Sequence, residues 1–258
     1  MTRRTLLATS AFAPFLAAAQ RAQRTKPALI ELSYFRLRTG ADNQRQRATE
    51  FLNAYLPLLR RTGAGPSGAF VSSVGEGTPY VMMLRSYPDW AGVQEFKAKL
   101  GADASIRAAI DKWYASGPPY VSYETSLLRA FNSFPAVELP PAAGAAASRI
   151  FELRTYQSEN YDTLQAKIDM FSKGEIGIFR KVGLRPVFFG ETIFGDRMPN
   201  LTYMLAHDDM AAREKNWAAF RAHPEWKELQ ARPEFRHPGL VSNISIALLS
   251  ALPVSDIK

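Results

Sequence analysis

Residues Ile150-Phe151-Glu152-Leu153-Arg154-Thr155-Tyr156 alternate apolar and polar side chains, the period-two pattern of a strand with two unlike faces. From 161 to 181 the period changes. Leu164, Ile168, Phe171, Ile176 and Phe179 fall at helical spacing, with a break predicted near Gly174 or Gly177. Gly183 suits the turn after a helix end. A run rich in β-branched and aromatic residues over 185–194 reads as a second strand, and 195–200 as a hairpin connection to a third over 201–207. Asp208 or Asp209 is placed to cap a helix running to Ala222, Pro224 to open a short one through Leu229, and 240–249 reads as the last strand.

The first half of the chain gives the same order: a strand over 29–38, a helix over about 43–61, strands over 69–74 and 80–87, helices over 89–100 and 104–114, and a strand over 121–128. A shift of 120 residues superimposes Arg60 on Arg180, Gly63 on Gly183, Pro66 on Pro186, Gly75 on Gly195, Pro79 on Pro199 and Asp89 on Asp209. At the start of each copy the shift is 121, which places Glu31-Leu32 on Glu152-Leu153. Gly and Pro constrain the backbone, so matching them matches the path of the chain. The chain is a duplication of a strand-helix-strand-strand-helix-strand unit, the ferredoxin-like βαββαβ arrangement in an α+β class. The copies span 27–131 and 149–252. Between them, 132–148 holds Pro140-Pro141-Ala142-Ala143-Gly144 and lacks apolar periodicity from Pro135 onward, as a linker does.

Phe151-Glu152-Leu153-Arg154-Thr155-Tyr156 resembles the E-L-R-x-Y opening of the NIPSNAP family. Trp217-Ala218-Ala219-Phe220 followed by Pro224-Glu225-Trp226 resembles its W-x-x-F-x-x-x-P-E-W signature. The first copy keeps Glu31-Leu32 but has Ser33 in place of the arginine and lacks the Pro-Glu-Trp triplet, so it is a degenerate version. The resemblance implies a dimeric α+β barrel, two four-stranded sheets face to face with helices outside, here built within one chain. It implies a superfamily that includes small-molecule monooxygenases and haem-handling proteins, and a family known mainly for proposed roles in trafficking and mitochondrial signalling. Fold alone does not supply an activity.

Strand alternation selects candidate site residues. With Phe151 and Leu153 expected beneath the helices, Glu152, Arg154 and Tyr156 are expected to face the space between the sheets. In the first copy Ile30 and Leu32 would lie beneath helices and Glu31, Ser33 and Phe35 face inward, with Glu124 of the last strand approaching Glu31. Charges in such an interior need partners. Glu31, Glu124, Glu152, Arg154 and Tyr156 would therefore form either a small-molecule pocket or an ion-pair network joining the two half-barrels. Trp217, Phe220 and Trp226 read as packing between helices and sheet, and His223 as a surface residue beside Pro224. No two of His207, His223 and His237 stand at metal-ligand spacing, so no metal is expected. No cofactor is expected either, with haem held by one barrel-wall histidine as the alternative. No phosphate loop, dinucleotide fingerprint or G-x-S-x-G motif occurs.

Composition narrows the remaining choices. The 258 residues include no cysteine, which excludes disulfides and thiolate chemistry. The net charge is +8 but the basic residues are scattered without an aromatic-interleaved stripe, which argues against a nucleic-acid partner. Met1-Thr2-Arg3-Arg4-Thr5-Leu6-Leu7, the apolar run to Ala18 and the small residues Ala17-Ala18-Ala19 read as an export signal over 1–19. Paired arginines make it resemble a twin-arginine signal, with a general secretory leader as the other reading. The expected location is periplasmic or extracellular, without a membrane span, and further homo-oligomerisation stays open.

Overall fold

The computed structural model describes residues 26–40, 42–141 and 149–258. The proposed signal over 1–19 lies outside them. The first half supplies β1 (Leu29–Arg36), α1 (Gln44–Leu59), β2 (Ser67–Val74), β3 (Tyr80–Tyr87), α2 (Trp90–Ala102), α3 (Ala104–Ala115) and β4 (Ser122–Ala130). The second supplies β5 (Ile150–Gln157), α4 (Tyr161–Met170), α5 (Ile176–Lys181), β6 (Arg185–Phe194), β7 (Asn200–His207), α6 (Met210–Ala222), α7 (Pro224–Gln230) and β8 (Asn243–Ala251). The break expected near Gly174 is a π-turn over Phe171–Glu175. Asp209, not Asp208, caps α6, accepting from the Ala212 amide, and Asp89 caps α2 in the same way through Gly92.

All eight strands close one antiparallel barrel in the order β1-β3-β2-β8-β5-β7-β6-β4. The two halves meet along two seams, β2 with β8 and β4 with β6, and each seam carries a register shift. The duplication explains why. A Cβ on Gly75 would lie 2.8 Å from Ala247 Cβ of β8, and a Cβ on Gly195 would lie 2.6 Å from Ser126 Oγ of β4. These are the same repeat position pressed against the same position of the opposite half, and only glycine leaves the strands room to approach.

The direction in which the strands face is the reverse of the expectation. Ile30, Leu32, Phe70, Met82, Leu84, Leu128, Phe151, Leu153, Phe188 and Met204 pack together inside the barrel, with the Phe70 and Phe151 rings 5.1 Å apart edge to face. Glu31, Ser33 and Phe35, and equally Glu152, Arg154 and Tyr156, lie on the outer face beneath the helices. The physical reason is partnership. An eight-stranded barrel has an interior just wide enough for side chains, and here apolar groups from both sheets fill its centre, with an opening of about 160 Å³ left at one mouth among Tyr34, Arg36, Glu124, Thr155 and Thr202. Helices outside carry the donors that a buried carboxylate requires.

Glu124 corrects a second expectation. It pairs with Tyr34 in the β1–β4 register, whereas Glu31 pairs with Leu127, so the two acids stand on opposite faces. Glu124 instead accepts from Arg36 at 3.0 and 2.8 Å, at one mouth of the barrel. Glu76 and Arg197 face each other there at 2.6 Å. That contact does join the halves, but through residues other than those expected.

The stretch expected to be a linker begins as part of the fold. Val137 is buried in the barrel interior and the Glu138 amide donates to Val187 O. The C-terminal tail repeats this across the barrel, with Ile257 buried in the interior and the Asp256 amide donating to Ser67 O. Val137 and Ile257 are 120 apart, as are Ser67 and Val187, whereas the donors Glu138 and Asp256 are 118 apart. Each half thus lends its tail to the other in the same sense, without exact repetition of the hydrogen bond.

Candidate functional site

Glu152 is fully buried and central to the outer face of β5. Its Oε1 accepts from Arg154 Nη1 and Arg213 Nη2, both at 2.9 Å. Its Oε2 accepts from Arg213 Nε at 2.9 Å, Trp217 Nε1 at 2.8 Å and His207 Nε2 at 3.0 Å. Arg213 and Trp217 sit one helical turn apart on α6, so one face of that helix presents both. Burial by itself would raise the Glu152 carboxyl. The hydrogen bonds from His207, Arg213 and Trp217, followed by the Arg154 charge, outweigh burial and hold it well below the usual carboxylate range. An ionised Glu152 fixes the proton of His207 on Nε2.

Above this base the sheet, α4, α6 and α7 enclose an open cleft of about 1040 Å³. Tyr156, Trp217, Phe220, Trp226 and Phe235 supply aromatic walls. Arg154, Lys167, Arg213, Arg221 and Arg236 supply five positive charges on its lining against Glu175 and Glu214, with Glu152 underneath. The Arg154 guanidinium lies 4.6 Å from the Trp217 ring centre and 5.5 Å from that of Tyr156, and its Nε has no acceptor among the described residues. Tyr156 and Tyr203 hydroxyls meet at 2.8 Å beneath the floor.

One wall is built by the π-turn. Glu175 on that turn and Lys167 on α4 pair at 2.7 Å, both at least 95% buried as side chains. Lys167 Nζ also stands 4.5 Å from the Phe171 ring centre and 5.6 Å from that of Trp226. Burial pushes the Glu175 carboxyl up, and Lys167 only partly counters it. Turns of this kind are frequent where a helix must re-aim side chains at a site.

Of the five residues singled out from the sequence, the structure brings Glu152, Arg154 and Tyr156 together at this cleft. Glu31 holds the corresponding place in the first half, and Glu124 lines a separate opening of about 160 Å³ at one mouth of the barrel, with Tyr34, Arg36, Thr155 and Thr202. Arg213, His207, Lys167 and Glu175 complete the arrangement without having been selected. The helical spacing of Arg213 and Trp217 was the available signal for the first of these. Trp217 packs as expected but also donates to Glu152, and His223 is half-buried between α6 and α7.

Haem does not fit this donor set. His237 is the histidine lining the cleft, but its Nδ1 accepts from the Gly239 amide at 3.0 Å, which leaves the proton on Nε2 and no lone pair for iron. His207 is sealed beneath the floor with Nε2 committed to Glu152. Among the described residues no three of His, Asp and Glu cluster as metal ligands, and no helix is long and apolar enough to cross a membrane.

Residues 151–256 match the NIPSNAP family model. The second half of the chain carries a NIPSNAP domain. No curated protein matches the sequence. Among solved structures, a candidate monooxygenase from Lactobacillus acidophilus NCFM is similar at a TM-score of 0.59 and 9% identity, over 88% of this chain and 94% of that one. A candidate monooxygenase from Fusobacterium nucleatum subsp. nucleatum follows at 0.56 and 7%, over 88% and 93%. A candidate chlorite dismutase, TA0507, is similar at 0.50 and 13%, over 90% and 97%. At these identities the likeness is one of fold. It extends across both halves, so the NIPSNAP domain here is one part of a tandem α+β barrel.

Proposed function

We propose that the NIPSNAP domain binds a small, flat aromatic anion, such as an aromatic carboxylate, in the cleft between β5, α4, α6 and α7. The observation that carries this is Arg154, which lines the cleft with its guanidinium against Trp217 and Tyr156 and its side chain 13% exposed. Glu152 and the Trp217 ring fix that guanidinium in place, so little ordering remains to be done when a carboxylate arrives. The aromatic walls match a flat ring, and the excess of cations matches its charge. This cleft is preferred to a pocket between the sheets, where apolar side chains occupy the centre and about 160 Å³ stays open at one mouth.

The test is titration of the full chain with 2-naphthoate and, separately, with neutral 2-naphthamide. The acid should bind more tightly than the amide, and Arg154→Met should weaken the acid by about tenfold or more, the worth of a charge-assisted hydrogen bond. Equal binding of acid and amide, or an unaltered Arg154→Met, refutes the proposal.

An enzyme acting on that ligand is the second reading, and Glu175 favours it. A buried carboxyl raised by its surroundings and paired with Lys167 on the cleft wall is a suitable acid-base group. A monooxygenase not dependent on haem would be one such enzyme. Export to the periplasm or beyond rests on the Arg3-Arg4 pair and the apolar run that follows.

A further inference from the structure

The π-turn over Phe171–Glu175 ends on an acid whose two oxygens are treated differently. The Glu175 side chain is only 3% exposed, yet it lines the cleft of the NIPSNAP domain. Its Oε2 accepts from Lys167 Nζ at 2.7 Å. Its Oε1 accepts from no described residue and stays open to solvent, unlike the unpartnered Arg154 Nε and His207 Nδ1, which are sealed. Lys167 is not free to serve both oxygens. Its ammonium stands 4.5, 5.6 and 5.7 Å from the ring centres of Phe171, Trp226 and Tyr156, and 3.5 Å from Met170 Sδ.

The first half has no counterpart to this acid. There α1 runs unbroken over Gln44–Leu59, and the shift of 120 places Arg47 and Tyr55 at the positions of Lys167 and Glu175. The open oxygen therefore belongs to the NIPSNAP domain and its cleft.

A carboxylate oxygen offers only lone pairs, so its complement is a hydrogen-bond donor. The surplus of cations on the lining opposes an ammonium group, which leaves a neutral donor. Among neutral donors a hydroxyl makes the short, strong bond to an ionised carboxylate. Arg154 lines the same cleft, and its charge acts on the Glu175 carboxyl.

We propose that Glu175 Oε1 receives the hydroxyl of a hydroxylated aromatic acid whose carboxylate meets Arg154. This rests on the reading of the cleft given above and adds a second polar group to its ligand. A cleft of about 1040 Å³ has room for the ring system that joins the two groups. An ether or a bare ring would leave Oε1 without a donor, and a site built to bond a hydroxyl rejects analogues that lack it.

The experiment titrates the full chain at about pH 8, where a carboxylate beside an ammonium is ionised. The probes are 2-naphthol and 2-methoxynaphthalene, followed by their fluorescence. Both are neutral and share the ring and the oxygen, but only the naphthol has a proton to give. The naphthol should bind about tenfold more tightly or better, the worth of one hydrogen bond to a charged group. Glu175→Gln keeps the shape with a weaker acceptor and should reduce the preference to about threefold or less. Lys167→Met with Glu175→Leu removes both charges together, and the preference should vanish. Equal binding of the two probes by the unmodified chain, no saturable binding of the naphthol, or a preference unaltered in Glu175→Gln overturns the proposal. Titration with 2-naphthoate and 2-naphthamide in the same samples reads the Arg154 end. Discrimination there without a preference for the naphthol refutes the hydroxyl alone, and the converse refutes the carboxylate alone.

Discussion

Glu152→Gln alters one atom of the buried hub and separates its charge from its shape. The amide NH2 must take the place of one carboxylate oxygen. On the Oε2 side it would confront the N–H groups of His207, Trp217 and Arg213, three donors at once. On the Oε1 side it confronts Arg154 and Arg213, two donors, and this is the lesser loss. Two guanidinium groups, only 13% and 20% exposed, then lack their counter-charge. Removing one member of a buried pair costs about 3–5 kcal/mol. The residual access of Arg213 to water places this case near 3. For a domain of this size 1 kcal/mol moves Tm by about 2–4 °C, so a fall of about 6–12 °C is expected in a thermal melt. Glu138→Gln is the control, because Glu138 meets Arg180 at 2.7 Å with both about half exposed, and such pairs contribute about 1 kcal/mol or less. The pH dependence supplies an independent check. The folded pKa of Glu152 is depressed, so its stabilisation is complete above the unfolded value of about 4.3 and is lost as pH falls toward the folded value. The gap between wild type and Glu152→Gln should therefore be constant above about pH 5 and close in stronger acid. A Glu152→Gln melt within 2 °C of the Glu138→Gln control would refute the reasoning about the hub.

Two further substitutions examine other parts of the fold. Gly75→Ala puts a Cβ 2.8 Å from Ala247 Cβ and 3.0 Å from its Cα at a φ of +143°, and should cost at least about 2 kcal/mol in denaturant midpoint, whereas Gly101→Ala in α2, with nothing within 4 Å, should be neutral or slightly stabilising. Lys167→Met leaves Glu175 buried without its partner and should destabilise by about 3–5 kcal/mol, while Lys167→Met with Glu175→Leu should return to within about 1 kcal/mol of wild type or exceed it. Failure of the double variant to recover would show that the pair does more than neutralise itself.

The order of the strands and helices was legible because Gly and Pro recur at a fixed shift and because alternation and helical spacing do not resemble each other. The barrel was implied by the resemblance to the NIPSNAP family rather than by the order alone. What alternation could not supply was which face points inward. Phe151 and Leu153 are equally at home under a helix or inside a barrel, since both are dry. Only the position of donors decides, and those donors, Arg213 and Trp217, lie about sixty residues further along the chain on another element. Arg85 escaped notice for a related reason. It shares a face of β3 with Val81, Met83 and Tyr87, and a lone arginine on an apolar face gains meaning only when Glu31 is seen opposite it. Val137 was hidden by its prolines, which look like a linker because the tail that enters the barrel is short and irregular.

Divergence of the two halves is most simply understood from the acid they share. A carboxylate beneath helices cannot be left alone, so each copy had to keep donors around it, and the choice of donors determined what remained for a ligand. In the second half Arg154 and Arg213 together outnumber Glu152, and the Arg154 guanidinium lines an aromatic cleft. In the first half one arginine and one tyrosine meet Glu31, so no second guanidinium stands over it. The barrel joins the two halves through crossed tails and glycine seams around an apolar centre. Any coupling between the halves would therefore have to travel through the packing of Phe70 on Phe151 or through the seams themselves. The same glycines that allow the halves to close are then where such coupling should be most easily disturbed.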